Sequence, residues 1–342
     1  TVELLGVNAP DAAKWAKPFQ DVLLKNIQVE QLAVGKLRLT FHQGYPAPNE
    51  IFRLENPHRL TIELIKIFEK ETVSEVSNGI QYTHIYKGYP FGPVTLYLAR
   101  IKAGTRISML PAIANNHDGF KKATVSSLAK QHQALVAING TYFASNGLPL
   151  GLLLKDGEMF ASPLYNRSVL FVTREHRFLI EQTQLTAVFE IPEVPDKRIA
   201  FHAVNLYRQN HQAILYTSRY GTSTQTTEDP QAIEFQVAND GTIERIGTHN
   251  LSIPQEGYVI SAHGKGAEWF RNYLKEGMRV FIYSELGLKK PEATYHAISG
   301  GPTLLQKGEV HVTSQEEHFQ ADIAKGRAPR TAIGITNNQD LL

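Results

Sequence analysis

The chain has 342 residues, a formal net charge of +2 and 42% hydrophobic residues. This length suits two domains, and this hydrophobic content is sufficient for packed cores. The balanced charge argues against nucleic-acid binding, which requires a clustered basic surface. No apolar run approaches the roughly 18 residues that would span a membrane. Cysteine is absent, which excludes disulfides, thiol nucleophiles and thiolate metal sites.

The first predicted element is an amphipathic helix over residues 11–25, where apolar residues recur near helical spacing and Asp11 can cap the start. Alternation over residues 37–41 predicts a strand, and residues 52–64 predict a strand, an Asn56-Pro57 turn and a second strand. This last stretch resembles the end of an AMIN domain, a small β-sandwich found before cell-envelope enzymes. The alternative is an ordinary β-hairpin. We expect a β-rich, AMIN-like module over residues 1–75.

The sequence turns polar over residues 71–79, which predicts a boundary there and a second domain over residues 80–342. Helices are predicted over residues 124–131 and 267–275, the second stopping at Gly277. Three hairpins are predicted, with turns at Asp156-Gly157, Asp240-Gly241 and Lys307-Gly308. Strands with occasional helices and without βαβ alternation predict an α+β fold that is predominantly β, with mixed sheets in the second domain.

Six stretches of the second domain carry a resemblance to a known family. They are residues 92–97, 137–151, 215–224, 257–264, 298–302 and 327–334. In this order they resemble the phosphodiester glycosidase family, which includes the enzyme that uncovers mannose 6-phosphate on lysosomal proteins and many bacterial envelope proteins. The resemblance implies a hydrolase that cuts a sugar from a phosphate.

The sequence departs from the family pattern in two places. Thr141 follows Asn139-Gly140 where the family usually has a second glycine. The family also continues to an Asp-Gly-Gly-Gly-Ser segment, whereas this chain ends at Leu342 before such a segment. We therefore expect either that the chain is part of a longer protein or that its active site is incomplete.

The first candidate substrate contact is Asn139, followed by Gly140 and Thr141. An Asn-Gly pair read alone is most simply a turn. Here it follows the apolar run of residues 134–138, which predicts a buried strand, and a polar amide at the end of such a strand is well placed to face a ligand. The resemblance favours the substrate-binding role.

Arg327 and Arg330 are the candidate phosphate ligands. The planar guanidinium of arginine matches phosphate oxygens in a two-pronged geometry, and its charge is permanent. The alternative is a solvated basic loop, since Lys325 is close by. The resemblance favours Arg330, which is predicted to lead into an apolar strand.

Ser299, Gly300 and Gly301 follow an apolar pair and form a third candidate contact. Paired glycines allow close approach of a ligand and can expose N–H groups to an anion. The alternative is a tight turn into the next hairpin. His263 lies between a predicted strand and the 267–275 helix, where it could bind substrate or be a structural histidine.

Other catalytic constellations are not found. The sequence has no His-Glu-x-x-His, Gly-x-Ser-x-Gly or Walker motif, and its 13 histidines lack ligand spacing, so we predict no metal site and no cofactor. Glycosidases usually use two carboxylates, but no pair is identifiable, because Asp156 reads as a hairpin residue. Three further acidic residues are predicted to be solvated: Glu316, Glu317 and Asp322.

The sequence favours a hydrolase that acts on a phosphodiester-linked saccharide of the cell envelope or an exopolysaccharide. The expected location is extracytoplasmic, with no nucleic acid partner and no membrane span. The alternative is a non-catalytic saccharide-binding or envelope-anchoring protein.

Overall fold

The computed structural model describes residues 1–9, 11–15, 17–116, 118–194, 198–288 and 294–342. The chain forms two compact units: residues 1–105 with Leu342, called unit 1, and residues 106–341, called unit 2. The boundary predicted within residues 71–79 lies inside unit 1, where strand pairing continues through those residues. The AMIN-like character of residues 1–75 remains a prediction.

The described part of unit 1 contains nine strands. They are β1 (Val2–Leu5), β2 (Lys17–Pro18), β3 (Leu24–Ala33), β4 (Lys36–Gln43), β5 (Asn49–Leu54), β6 (Arg59–Leu64), β7 (Phe68–Ser77), β8 (Ile80–Tyr89) and β9 (Gly92–Ile101). They form antiparallel sheets in the orders β1-β4-β3-β2, β5-β6 and β7-β8-β9. The strands predicted within residues 37–41 and 52–64 are thus confirmed.

The helix predicted over residues 11–25 is wrong. A short 3-10 helix at Ala12–Trp15 is followed by β2 and the start of β3, and Ala16 lies outside the described residues. Pro18 falls mid-way through the predicted helix, where it lacks the N–H that a helix requires and its ring would clash with the preceding turn. The start of the following run instead pairs with β4, so sheet contacts override the helical spacing of the apolar residues.

Unit 2 is predominantly β. Its described strands are β10 (Asn115–Asn116), β11 (Gly119–Phe120), β12 (Leu153–Lys155), β13 (Glu158–Ala161), β14 (Ser168–Thr173), β15 (Phe178–Gln182), β16 (Leu185–Glu190), β17 (Arg198–Ala200), β18 (Ala203–Val204), β19 (Ala213–Thr217), β20 (Ala232–Ala238), β21 (Ile243–Gly247), β22 (Gly257–His263), β23 (Phe281–Leu286), β24 (Thr294–Ser299), β25 (Leu305–Gln306) and β26 (Glu309–Val310). Its helices are α1 (Val125–Gln131), α2 (Lys265–Tyr273) and α3 (Ala321–Ala324). The predicted fold class, α+β with few helices, is confirmed.

Two five-stranded sheets and one three-stranded sheet build the core of unit 2. Their strand orders are β13-β12-β24-β14-β15, β18-β19-β22-β20-β21 and β17-β16-β23. The largest buried cluster joins the second five-stranded sheet, the three-stranded sheet and α2. At its centre the fully buried ring of Phe270 lies 5.8 Å from that of Phe189 and 5.6 Å from that of Phe235. These aromatic side chains bury large apolar areas, which is the main source of stability in such a core.

The predicted hairpins and helices of unit 2 are confirmed. In two hairpins both turn residues have positive φ, 54° and 81° at Asp156-Gly157 and 54° and 84° at Lys307-Gly308, as a type I′ turn requires. Helix α1 starts after Thr124, whose Oγ1 accepts a hydrogen bond from the Ser127 N–H. Helix α2 ends at Tyr273, and Gly277 follows in the next turn with φ of 85°.

The buried strand predicted over residues 134–138 is wrong. These residues have no strand conformation, and Leu135 and Ile138 are 62% and 49% exposed. A strand needs a neighbour to satisfy its backbone N–H and C=O groups, and no described strand pairs with this run. Hydrophobicity alone therefore misassigned the segment.

Candidate functional site

The end of β24 places the Ser299-Gly300-Gly301 segment between two neighbouring strands. Ser299 donates its N–H to the Leu152 carbonyl, and its Oγ accepts from the Leu152 N–H at 2.7 Å. Gly300 donates its N–H to the Ser168 carbonyl at 2.9 Å. The sequence suggested that both glycines could offer N–H groups to an anion. The Gly300 donor is used within the sheet instead, which fixes the segment rigidly.

Gly301 is required by its surroundings. Its φ of 93° lies in the left-handed region that side chains disfavour, and an added Cβ would collide with Glu317 Oε2 and the Phe319 ring. Close packing therefore brings the backbone of residue 301 against the segment that carries Glu317 and Phe319.

Thr141 and Tyr142 approach the same segment from another part of the chain. The Tyr142 hydroxyl donates to the Gly301 carbonyl at 3.0 Å, and the Tyr142 ring lies 5.5 Å from that of Phe319. Thr141 Oγ1 is buried and has no hydrogen-bond partner among the described residues. A buried hydroxyl without a partner is uncommon, because desolvation is then uncompensated.

Glu317 is a fully buried carboxylate in this region, and the prediction that it is solvated is wrong. Its Oε2 accepts from the Ser168 N–H at 2.8 Å, and its Oε1 accepts from the Ser168 hydroxyl, the Thr303 N–H and the Thr313 hydroxyl. Burial acts to raise the pKa of Glu317, but the accepted hydrogen bonds outweigh it and hold the pKa below its usual value. With both oxygens occupied, Glu317 organises the site and is poorly placed to act as a general acid.

Arg167 precedes β14 and lies half-buried among aromatic rings. Its Cζ is 4.2 Å from the centroid of Phe319, 5.2 Å from that of Tyr165 and 5.9 Å from that of Tyr142. Its Nε donates to the Glu317 carbonyl at 3.3 Å. Burial lowers the pKa of Arg167, but the guanidinium remains charged at neutral pH. Sequence reasoning missed this residue; the only available signal is an arginine directly before a strongly apolar strand.

Arg330 and Arg327 lie exposed after α3. Arg330 Nη2 donates to the carbonyls of Asp322 and Gly326, at 2.9 and 3.0 Å, and so closes the turn at the end of α3. The apolar strand predicted after Arg330 is wrong. The described residues there form only an isolated bridge between Ile335 and Leu341, because no neighbouring strand is present to pair with them.

Arg330 is nevertheless electrostatically linked to the site. Burial raises the pKa of Tyr142, and the cations of Arg330 and Arg167 oppose this rise. Both positive charges therefore act on the same phenol, which itself bonds to Gly301.

Of the other predicted site residues, Asn139 precedes Gly140 in the chain, and His263 lies in the second five-stranded sheet. Asn139 is exposed. His263 is buried at the end of β22, where its Nε2 lies 3.1 Å from Asp229 Oδ2 and its Nδ1 accepts from the His211 N–H. These bonds occupy both ring nitrogens and belong to the second five-stranded sheet. Its contacts therefore favour the structural role over the substrate-binding one.

The structure thus brings together part of the predicted set. Gly140 packs against Ile298 of β24, where an added Cβ would collide with the isoleucine side chain. Thr141, Ser299, Gly300 and Gly301 meet around the first five-stranded sheet. We refer to these residues, with Tyr142, Arg167, Glu317 and Phe319, as the β24 site.

The comparison with protein families concerns the part of the chain that contains most of this site. Residues 231–342 match the phosphodiester glycosidase family. The match includes Ser299, Gly300, Gly301 and both C-terminal arginines, and it confirms the resemblance inferred from the sequence. No curated protein matches the chain.

Two solved structures share the fold. One is a hypothetical protein from Synechocystis, with a TM-score of 0.72 and 20% identity over 92% of this chain. The chain spans 59% of the length of that protein. The other is a protein from Burkholderia pseudomallei K96243 that is inferred to be exported, with a TM-score of 0.64 and 15% identity over 80% of this chain and 83% of its own. At 20% and 15% identity, these similarities show a shared fold and nothing further.

Among the described residues, no helix is both long enough and apolar enough to cross a membrane.

Proposed function

We propose that this chain belongs to a hydrolase that cleaves the sugar–phosphate glycosidic bond of a phosphodiester-linked saccharide outside the cytoplasm, in the cell envelope or an exopolysaccharide. The observation that carries the proposal is the family match over residues 231–342, the segment that supplies the glycine pair and Glu317 to the β24 site. The inferred export of the Burkholderia protein supports the location.

The chemistry of the β24 site suits a phosphate leaving group. Two arginine cations act on Tyr142, and a buried threonine hydroxyl has no partner there among the described residues. When the C1–O bond breaks, the leaving group is a phosphate monoester, which departs as a stable anion. The enzyme can therefore stabilise the developing charge with fixed donors and depends less on a proton donor. Glu317 is consistent with such a mechanism, because both of its carboxylate oxygens already accept hydrogen bonds and it is not needed as a proton donor.

The reaction is tested with a methyl diester of a sugar 1-phosphate in water enriched in oxygen-18. Water adds across the C1–O bond, so the products are the free sugar and methyl phosphate. We expect the label to enter the sugar at C1. Label in the phosphate would show attack at phosphorus and would identify a phosphodiesterase instead. Binding of the diester without turnover by the full-length protein would favour the non-catalytic alternative.

The contribution of Arg330 is tested by Arg330→Ala and Arg330→Lys. Loss of a charge-assisted donor to the leaving phosphate costs about 2.7–4 kcal/mol, or about a hundredfold or more in rate. Lysine keeps the charge but loses the planar fork, so it restores only part of the rate. The matched control is the neighbouring Lys325→Ala, which we expect to change the rate little. Full activity of a folded Arg330→Ala protein would remove Arg330 from the site.

A further inference from the structure

The guanidinium of Arg167 is held by aromatic rings and not by a carboxylate. The rings of Phe319 and Tyr165 lie 4.2 and 5.2 Å from its Cζ, and its Nε is bonded to a main-chain carbonyl. Within the described part of the chain, no carboxylate forms an ion pair with Arg167 and no oxygen accepts from its Nη atoms. Both Nη groups are therefore available to a ligand.

The other arginines of unit 2 that stack on rings or lie near this site differ in this respect. Arg219 also stacks on a ring, but two of its nitrogens bond to the Glu158 carboxylate at 2.7 and 2.8 Å. Arg174 stacks on Tyr295 and is exposed to solvent. Arg330 uses Nη2 for two main-chain carbonyls. Arg167 combines partial burial with a free two-pronged end. The Glu317 carboxylate acts on its charge but forms no ion pair with it, and a partly desolvated cation without a directly paired anion is unfavourable.

The position of Arg167 connects this free end to the glycine pair. The next residue, Ser168, accepts the Gly300 N–H through its carbonyl, and Ser168 is also anchored by Glu317. The Tyr142 ring next to the guanidinium bonds to the Gly301 carbonyl. Hydrogen bonds on both sides thus fix the distance between Arg167 and the end of β24.

We propose that Arg167 also binds the substrate phosphate, through a two-pronged contact from its Nη atoms, with Phe319 and Tyr165 holding the plane of the guanidinium. The identity of the anion rests on the proposed function. Stacking fixes the direction of the fork before the ligand arrives, so less side-chain entropy is lost on binding. Arg330 supplies a second cation, which acts on the same Tyr142 phenol.

The test measures binding of inorganic phosphate by calorimetry with the full-length protein, alongside hydrolysis of the sugar phosphodiester. We expect Arg167→Ala to weaken phosphate binding by about 10–100-fold, as for loss of hydrogen bonds to a charged group. Arg167→Lys should recover part of the affinity, because it keeps the charge without the fork. The matched control is Arg174→Ala, which removes a ring-stacked arginine away from the glycine pair and should leave the affinity unchanged.

The outcomes separate this inference from the proposed function. An Arg167→Ala or Arg167→Lys protein that melts like the wild type and binds phosphate with unchanged affinity overturns the inference, even if the diester is hydrolysed. Absence of phosphate binding by the wild type also overturns it. If phosphate binding depends on Arg167 but the diester is not hydrolysed, the inference is supported and the proposed hydrolase function is rejected. A purely structural arginine would lower the melting temperature of Arg167→Ala without changing the affinity of the folded protein.

Discussion

Replacing Glu317 with glutamine tests whether this buried carboxylate organises the β24 site. Glutamine has nearly the same shape, and its amide oxygen can take the Oε1 position, where three donors converge. Its NH₂ group then faces the Ser168 N–H, which donates to Oε2 at 2.8 Å in the wild type. One charge-assisted hydrogen bond is lost and a buried donor is left unsatisfied.

The expected loss of stability follows from these bonds. A hydrogen bond to a charged group contributes about 1.5–3 kcal/mol, and the remaining bonds lose their charge assistance. Because the side chain is fully buried, solvent cannot replace the lost partner, and we expect a total of about 2–4 kcal/mol. For a domain of 150–250 residues this corresponds to roughly 4–16 °C in Tm. The matched control is Glu316→Gln at the exposed neighbour, which should change Tm by less than about 2 °C.

The pH dependence gives an independent test. The pKa of Glu317 is lower in the folded protein than in the unfolded chain, so its contribution to stability is present above the unfolded pKa of about 4.3 and is lost as pH falls through the folded pKa. Glutamine does not titrate. The difference in free energy of unfolding between the wild type and Glu317→Gln should therefore be largest near neutral pH and shrink below about pH 4. Equal melting of both proteins at pH 7, or a difference independent of pH, would refute the reasoning.

Two further substitutions test close packing in unit 2. Gly301→Ala places a Cβ against Glu317 Oε2 and should destabilise the protein more than Gly308→Ala. The two glycines have similar φ angles of 93° and 84°, but only Gly308 has open space around it, so a difference between their melting temperatures reports the steric collision and not backbone strain. Equal melting temperatures would contradict the predicted collision. Phe270→Ala removes a fully buried ring and should cost about 3–5 kcal/mol in urea unfolding, whereas Phe281→Ala at a 41% exposed ring should cost much less.

The sequence predicted those parts of the fold that local chemistry determines. The turns at Asp156-Gly157 and Lys307-Gly308 require positive φ, which glycine adopts freely. The helix predicted to begin at residue 124 was also found, and its start is capped by the Thr124 side chain. The predictions failed where contacts with segments distant in sequence determine the secondary structure. Residues 11–25 have helical spacing but form only a short 3-10 helix, followed by β2 and the start of β3, which pair with neighbouring strands. Residues 134–138 are apolar but have no described strand to pair with.

The β24 site was predictable only in part for the same reason. Gly301 is visible in the sequence motif because its positive φ and its packing against Glu317 require a glycine, whereas Gly300 has open space around it. Glu317 looked like one charge in a polar run, and only its pairing with Ser168 and Thr303 makes it a buried anchor. Arg167 looked like an isolated cation, and its enclosure depends on rings from three separate segments. Neither environment can be inferred without knowing which segments meet.

The bond between Glu317 and Ser168 also bears on the order of folding. It joins positions 149 residues apart in the chain, and the Tyr142 bond to Gly301 spans 159 residues. Contacts between such distant positions require closure of a long loop and usually form late, after local hairpins have assembled. We expect hydrogen exchange during refolding to protect the β20–β21 hairpin before the Ser168 amide. Binding competence would then appear with the last step of folding, so that incompletely folded chains would not engage substrate.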